Sequence, residues 1–458
     1  MSENQLDRVD WPATSIPVLA AGDVVVVGGG NAGFVAAIAA ARGGARTVLV
    51  ERYGYVAGAL SGTYATTPSS FGDADSRQII GGIGWEFVER MEKAGYARIN
   101  RKVWTVQMQP EVSKEIALDM VTEAGVELLL HSWAGDLWIE EGSIKAVIVQ
   151  TKSGRQAILG RVFVDASGDA DLAAWSGAPF EQLPADYLWQ TTKDLTIANI
   201  DYRKVLEWGR AHDDRVVWMG GNVPEENSGL GPVISMIVLN AAQEDPVAEG
   251  GYVGPVPTIK LMPYHSTGRV QGSVEINPLD VKSLTWAEGE GRRRAMEHLA
   301  YLKRTVPGFE HAVVVGESHL GVRESRRIIG EYVITRQDLL TNTRFPDVVA
   351  LNCRPLDRHM KGEVFEYELL SGHHDIPLRA LIPRKVKNLL VAGRCISCDH
   401  ESHASLRGAA TCLATGHAAG AAACLAAKGS AETREVNIGE LQELLVTQGA
   451  ILKAGLIL

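Results

Sequence analysis

Residues 24–33 read Val24-Val25-Val26-Val27-Gly28-Gly29-Gly30-Asn31-Ala32-Gly33. Four consecutive β-branched residues predict a buried strand, and three glycines directly after it predict a tight turn beginning at Gly28. Gly30 lets the backbone approach a pyrophosphate, with Asn31 and Ala32 beside it, and Gly33 lets the next helix, predicted over residues 34–41, pack closely on the sheet. The N-terminus of that helix turns its unpaired N–H groups toward the phosphates. A second apolar run, Thr47-Val48-Leu49-Val50, ends on Glu51, 23 residues after Gly28, where a carboxylate accepts both hydroxyls of a ribose. A GxGxxG string alone is weak; with the strand, the helix and the placed carboxylate it becomes a dinucleotide-binding fingerprint.

Which dinucleotide is bound depends on the chain after Glu51. A nicotinamide dehydrogenase continues with regular strand–helix alternation, whereas this chain interrupts it. Arg52-Tyr53-Gly54-Tyr55-Val56-Ala57-Gly58-Ala59-Leu60-Ser61-Gly62-Thr63 is too rich in glycine and small polar residues for a regular element. Two amphipathic helices are predicted next, over residues 84–93 with Phe87 and Met91 four apart, and over 111–124 with Ile116 and Met120 four apart. Strands are predicted at 126–131, 144–151 and 162–165, the last running into Asp165-Ala166-Ser167-Gly168-Asp169-Ala170-Asp171.

That order resembles the glutathione-reductase-like FAD oxidoreductases, and among them the FAD-dependent oxidoreductase family that also contains fumarate-reductase-like and thiazole-synthase-like flavoproteins. Four blocks carry the resemblance: the fingerprint with Glu51-Arg52, Gly81-Gly82-Ile83 with its helix, the turn from Asp165 to Asp171, and a C-terminal block. The last reads His374-Asp375-Ile376-Pro377-Leu378-Arg379-Ala380-Leu381-Ile382-Pro383, then Asn388-Leu389-Leu390-Val391-Ala392-Gly393-Arg394-Cys395-Ile396-Ser397. The resemblance implies an α/β fold, a Rossmann-like FAD-binding domain carrying an inserted, mostly antiparallel β substrate domain. The implied division is 1–173 and 383–458 for the FAD domain and 174–382 for the insertion. To the fingerprint it adds Arg52, Gly58, Ala59, Leu60, Ser61, Ser167, Gly168, Gly393, Arg394, Ser405 and Leu406 as FAD-binding residues. In the fumarate-reductase branch a histidine after the first acidic residue bonds the flavin; residues 52–67 contain none, which implies non-covalent FAD. Where the family often has Tyr-Asp-Ile-Pro-Tyr, this chain has His374-Asp375-Ile376-Pro377-Leu378, so a family substrate does not carry over.

Composition bounds the rest. At 458 residues and 46% hydrophobic content the chain holds enough for two interleaved domains. A net charge of −10, with no basic run longer than Arg292-Arg293-Arg294, argues against nucleic acid as partner. No apolar run reaches the roughly 18 residues of a membrane span, residues 418–427 being short and small-sided. The N-terminus, with Glu3, Asp7 and Asp10, does not read as a signal peptide, and five cysteines without framework spacing fit a reducing, cytoplasmic setting. Strand-like runs at 258–262, 268–276 and 348–351, with a helix over 286–303, fill the insertion.

The chemistry is expected where the returning strand at 388–393, a helix predicted over 406–428 and the inserted domain meet. His374, Arg394, His400, His403 and Arg407 converge there by sequence. A histidine of near-neutral pKa takes the hydroxyl or ammonium proton of a substrate whose C–H hydride goes to flavin N5. Arg407 reads as a partner for a carboxylate or for reduced flavin, and the small residues of the last helix let it run against the fingerprint helix. His400 and His403 are three apart, near a metal spacing, but lack a third and fourth ligand, so no metal is assigned. Arg323, within Gly321-Val322-Arg323-Glu324-Ser325-Arg326-Arg327, is a further catalytic candidate or a member of an interdomain ion-pair network. Cys395-Ile396-Ser397-Cys398 suggests a dithiol, but a disulfide reductase needs a second nucleotide fold, and no second strand–GxGxxG–helix unit follows Gly33. Without it, the flavin is reduced by a small-molecule substrate and reoxidised by oxygen, a quinone or a protein carrier. The expected activity is oxidation of an alcohol or amine carbon; reduction of an activated C=C bond and an electron-transfer subunit stay open, as does self-association.

Overall fold

The computed structural model describes residues 14–65, 68–212, 216–218, 234–238, 258–262, 267–359 and 366–453. The acidic N-terminal stretch with Glu3, Asp7 and Asp10 lies outside them.

Val24 to Val27 form the buried end of strand Val18–Val27, at the centre of a seven-stranded sheet. Thr47–Val50 and Glu127–Leu129 extend the sheet in parallel on one side. On the other side lies Gly154–Asp165, a 12-residue strand parallel to the first. Its far edge is shared: the first half pairs antiparallel with Ser143–Thr151, and the last three residues, Phe163 to Asp165, pair in parallel with Leu389–Val391. The returning strand thus closes beside the fingerprint although more than 200 residues separate them in sequence. Strand alternation splits the apolar residues between two clusters. Val24, Val26, Leu49, Val164 and Leu390 face the fingerprint helix, and Val25, Val27, Val48, Phe163 and Val391 face the other side.

The fingerprint helix spans Asn31–Arg42, three residues earlier than the hydrophobic pattern alone suggests, because the helix begins inside the glycine motif. The C-terminal helix predicted over 406–428 is two helices. His400–Leu406 is a short first segment capped by the Asp399 carboxylate on Ser402 N–H at 2.7 Å, and Ala409–Lys428 follows after a break at Arg407-Gly408. His400 and His403 are therefore both helical. The long helix crosses the fingerprint helix at its glycines: a Cβ on Gly416 would stand 2.1 Å from the Ala32 carbonyl, and one on Gly420 2.1 Å from that of Ala36. By length and hydropathy this 20-residue helix could cross a membrane, against the expectation that no apolar run is long enough, but 83% of its apolar window is buried in the fold as a core helix.

A second sheet, six-stranded and antiparallel throughout, runs in the order Val216–Trp218, Ile234–Val238, Thr258–Met262, Thr267–Val274, Thr191–Ala198, Val313–Glu317. Helix Val281–Thr305 covers one face, packing Leu299 and Leu302 on Ile197 and Val270. Val348–Asn352, expected among these strands, instead pairs with His374–Pro377. Val349, Leu351, Ile376 and Leu381 bury in the same core as the fingerprint helix, so the stretch before residue 382 packs with the nucleotide-binding half.

Candidate active site

Gly28 takes φ +96° against the Ala166 carbonyl, the left-handed turn the fingerprint demands. No side chain caps the fingerprint helix, and a Cβ on Gly30 would meet nothing within 4 Å. Open space before an uncapped helix N-terminus fits a pyrophosphate. Glu51, buried, accepts Gly29 N–H at 2.6 Å and Tyr53 N–H at 2.8 Å, one on each oxygen, leaving lone pairs for a ribose diol. Burial raises its carboxyl pKa despite those donors. Arg52 lies over the rings of Tyr53 and Trp133. The 53–62 segment closes on the glycine loop: Ala57 N–H donates to the Gly29 carbonyl at 2.8 Å, and Leu60 N–H to Asn31 Oδ1 at 3.3 Å. Gly58 and Ala59 remain partly exposed, whereas Leu60 is buried and Ser61 turns its hydroxyl inward onto the Val56 carbonyl at 2.8 Å.

Beyond the next strand, Asp165 organises the turn by accepting Ser167 Oγ at 2.6 Å and Ala173 N–H at 3.0 Å; burial, then Asp171, pushes its carboxyl up to about 6. Gly168 abuts the Arg394 guanidinium, which donates to Asp169 at 2.6 Å while Ser325 Oγ donates to the same carboxylate oxygen at 2.6 Å. Asp169, within the turn the sequence singles out but not among its site residues, is the hub joining that turn to Gly393-Arg394. Ser405 and Leu406 bury their side chains, so a contribution of theirs to a cofactor comes through backbone.

Of the five residues expected to converge, four surround the short helix. His403 is 1% exposed, accepts the Trp189 indole N–H on Nδ1 at 3.2 Å and donates from Nε2 to the Arg394 carbonyl at 2.9 Å. Burial, then Arg327, holds its pKa well below the ordinary value. His400 stacks on Trp189 with ring centroids 4.1 Å apart, and its Nδ1 donates to Glu324 at 3.0 Å. The imidazole is 22% exposed, Glu324 fully buried, and burial followed by Arg327 lowers the His400 pKa to about 4. Arg327 clamps Glu324 from below and donates to the Cys398 carbonyl. Arg407 donates to the Asp357 carbonyl at 2.7 Å.

His374 stands apart. It is fully buried behind the helix, where Asn352 donates to its Nε2 at 3.1 Å and also to Ser405 Oγ. Burial lowers its pKa to about 3, and it does not face the other four. Arg323, by contrast, joins Arg354, Asp357, His359 and Arg407 in a cluster at the start of the inserted sheet. Asp357 receives Arg354 and His359; burial alone would raise its carboxyl, but His359, Arg354 and Arg407 hold it far below the usual range. Sequence reasoning misses Trp189, Glu324, Arg354, Asp357 and His359 as site residues. The charged block around Arg323 is the only signal that points toward any of them.

The two cysteines of the CxxC fall in different apolar clusters, Cys395 with Val25 and Phe163 and Cys398 in the larger cluster around the fingerprint helix. Burial raises both thiols, Cys398 to about 12, which suits neither thiolate chemistry nor a disulfide between them. Among the described residues no three of His, Cys, Asp and Glu gather as metal ligands.

A family model described as FAD dependent oxidoreductase matches residues 23–445. No curated protein matches. Among solved structures, a geranylgeranyl bacteriochlorophyll reductase-like protein from Thermoplasma acidophilum is similar at 12% identity and TM-score 0.48, over 94% of this chain and 84% of that one. A flavin-dependent brominase is similar at 13% and 0.46, over 93% and 83%, and p-nitrophenol 4-monooxygenase from Pseudomonas putida at 12% and 0.40, over 94% and 81%. With the family match, the open glycine cradle and the free lone pairs of Glu51, the cofactor is FAD.

Proposed function

The chain belongs to the FAD-dependent oxidoreductase family, and on that premise we propose that it oxidises an alcohol or amine carbon of a small polar molecule, with His400 taking the hydroxyl or ammonium proton. FAD, when bound, supplies the N5 atom that accepts the hydride from that carbon. The observation that carries the reading is the His400–Glu324 pair. A carboxylate can only accept, so the imidazole proton sits on Nδ1 and the Nε2 lone pair is left for a substrate proton. Trp189 fixes the ring plane by stacking, and Arg327 fixes Glu324. Its pKa is lowered to about 4 where the sequence reading expects a near-neutral value, so His400 is neutral at physiological pH, with Nε2 unprotonated but only weakly basic. The inserted antiparallel sheet serves as the substrate lobe, and oxygen, a quinone or a protein carrier reoxidises the enzyme.

A second reading, reduction of an activated C=C bond, draws on Arg323. Burial followed by Arg407 lowers its pKa to about 10, making it a readier proton donor than an ordinary arginine. Anaerobic mixing separates the two. Bleaching of the flavin by an alcohol or amine, slowed roughly 100-fold in His400→Ala with FAD retained, supports oxidation. Reoxidation of pre-reduced flavin by an alkene acid, with no alcohol or amine able to bleach it, replaces it with the second.

A further inference from the structure

We infer that the substrate carries a carboxylate, and that Arg323 is the residue that binds it, with Arg407 and Arg354 behind. The inference rests on the oxidation reading for what happens to the rest of the molecule, but its own basis is the cluster. Three guanidiniums, Arg323, Arg354 and Arg407, together with His359, gather around two carboxylates, Asp357 and Asp194. Both carboxylates are already engaged. Asp194 is paired with Arg269 at 3.0 Å, and Asp357 receives Arg354, Arg407 and His359. Arg323 donates only to a neutral group, the Gln190 carbonyl, and makes no ion pair among the described residues.

Arg323 is desolvated by burial yet keeps partial exposure, and among the described residues its one hydrogen bond is to the Gln190 carbonyl. A desolvated guanidinium without a counter-ion is costly, and the arrangement becomes favourable when a small anion enters and takes the fork of parallel donors. Arg323 stays charged at neutral pH even in this setting. The anchor is also tied to the proton acceptor. Gln190, which holds Arg323, directly follows Trp189, on which His400 stacks. Anion anchor and imidazole therefore flank one short stretch of backbone, which suits a small hydroxy or amino acid whose reacting carbon lies near its carboxylate.

The test is calorimetric titration of the FAD-loaded protein with lactate, malate and alanine, each beside its amide. The expected result is that at least one acid binds and its amide binds at least about 100-fold more weakly. Arg323→Gln is expected to erase that difference, and Arg323→Lys, which keeps the charge but loses the fork, to retain part of it, with thermal melting confirming that both fold. Acids and amides binding alike, no acid binding, or discrimination surviving in Arg323→Gln would each overturn the inference. So would a variant whose flavin affinity or absorbance changes while carboxylate affinity does not, since that assigns the charge to the cofactor. Acids that bind through Arg323 but never bleach the flavin leave the anion site standing and reject the oxidation reading instead.

Discussion

The indole N–H of Trp189 donates to Nδ1 of His403 at 3.2 Å, which forces the imidazole proton onto Nε2, where it donates to the Arg394 carbonyl. An indole nitrogen can only donate and a carbonyl can only accept, so both ring nitrogens are committed to tying Trp189 to the Arg394 backbone. His403 is thereby a structural histidine, while His400, one helical turn earlier, keeps a free nitrogen.

The two histidines are expected to separate on mutation. His403→Ala leaves a buried indole N–H and a carbonyl without partners, at about 1–3 kcal/mol for each group, and lowers stability while any bound flavin is reduced at a near-normal rate. His400→Ala leaves stability nearly unchanged and slows flavin reduction roughly 100-fold or more. Chemical denaturation and rapid-mixing kinetics on the same two variants read this directly; the opposite pattern, or slow reduction in both, would show that the tautomer argument does not assign the roles.

Gly30 and Gly33 predict a second contrast. A Cβ on Gly33 would stand 1.6 Å from the Gly28 carbonyl, so Gly33→Ala forces the strand and helix of the fingerprint apart and should yield little folded protein. Gly30 has no neighbour within 4 Å and φ of −66°, which alanine adopts freely. Gly30→Ala should fold as an apoprotein with an unchanged melting temperature but lose FAD affinity, because the methyl group occupies space where the cofactor's phosphates approach. Undiminished FAD affinity in Gly30→Ala would place the pyrophosphate elsewhere.

Cys398→Ala should leave turnover unchanged, because Cys395 and Cys398 bury in different apolar clusters and burial raises both thiols. Loss of most activity with flavin content intact would restore the dithiol to the mechanism.

The parts of this molecule written in contiguous sequence are legible. Strand, turn, helix and Glu51 fall within residues 24–51, and local geometry dictates each choice there. The turn after Asp165 is equally plain, since its hydrogen-bond donors are its own near neighbours. What escapes is assembled from distant segments. Trp189 precedes an inserted strand, Glu324 follows another, and Arg354, Asp357 and His359 lie on the stretch that leads back to the first core; nothing in their spacing marks them as one site. The break at Arg407-Gly408 is hidden for a related reason. Ala409 and Ala410 continue a helical pattern across it, and only the Arg354 side chain packed against Gly408 shows why the chain must turn there.

The buried histidines make stability pH-dependent in a defined direction. Burial lowers His359 and His374 to about 3 and His400 and His417 to about 4, against roughly 6.5 in an unfolded chain. Between those values the unfolded state binds protons that the folded state refuses, so stability rises with pH across that window and is lost as pH falls below about 6.5. Asp165 works the other way. Its folded pKa of about 6 lies above the 3.8 of an unperturbed carboxyl, so protonation favours the fold between those values. Glu51 and Asp171 are raised in the same sense, but His298, His319, His373 and His403 are lowered like the other four, so among the described residues eight histidines stand against three carboxyls and the slope stays positive. Each histidine titrating fully in this way contributes about 1.4 kcal/mol per pH unit. A melting temperature that drops steeply between pH 6.5 and 4.5, with net proton uptake on unfolding, is the expected result. A flat profile over that range would mean that these imidazoles are protonated inside the fold, and His400 would then be a proton donor instead of an acceptor.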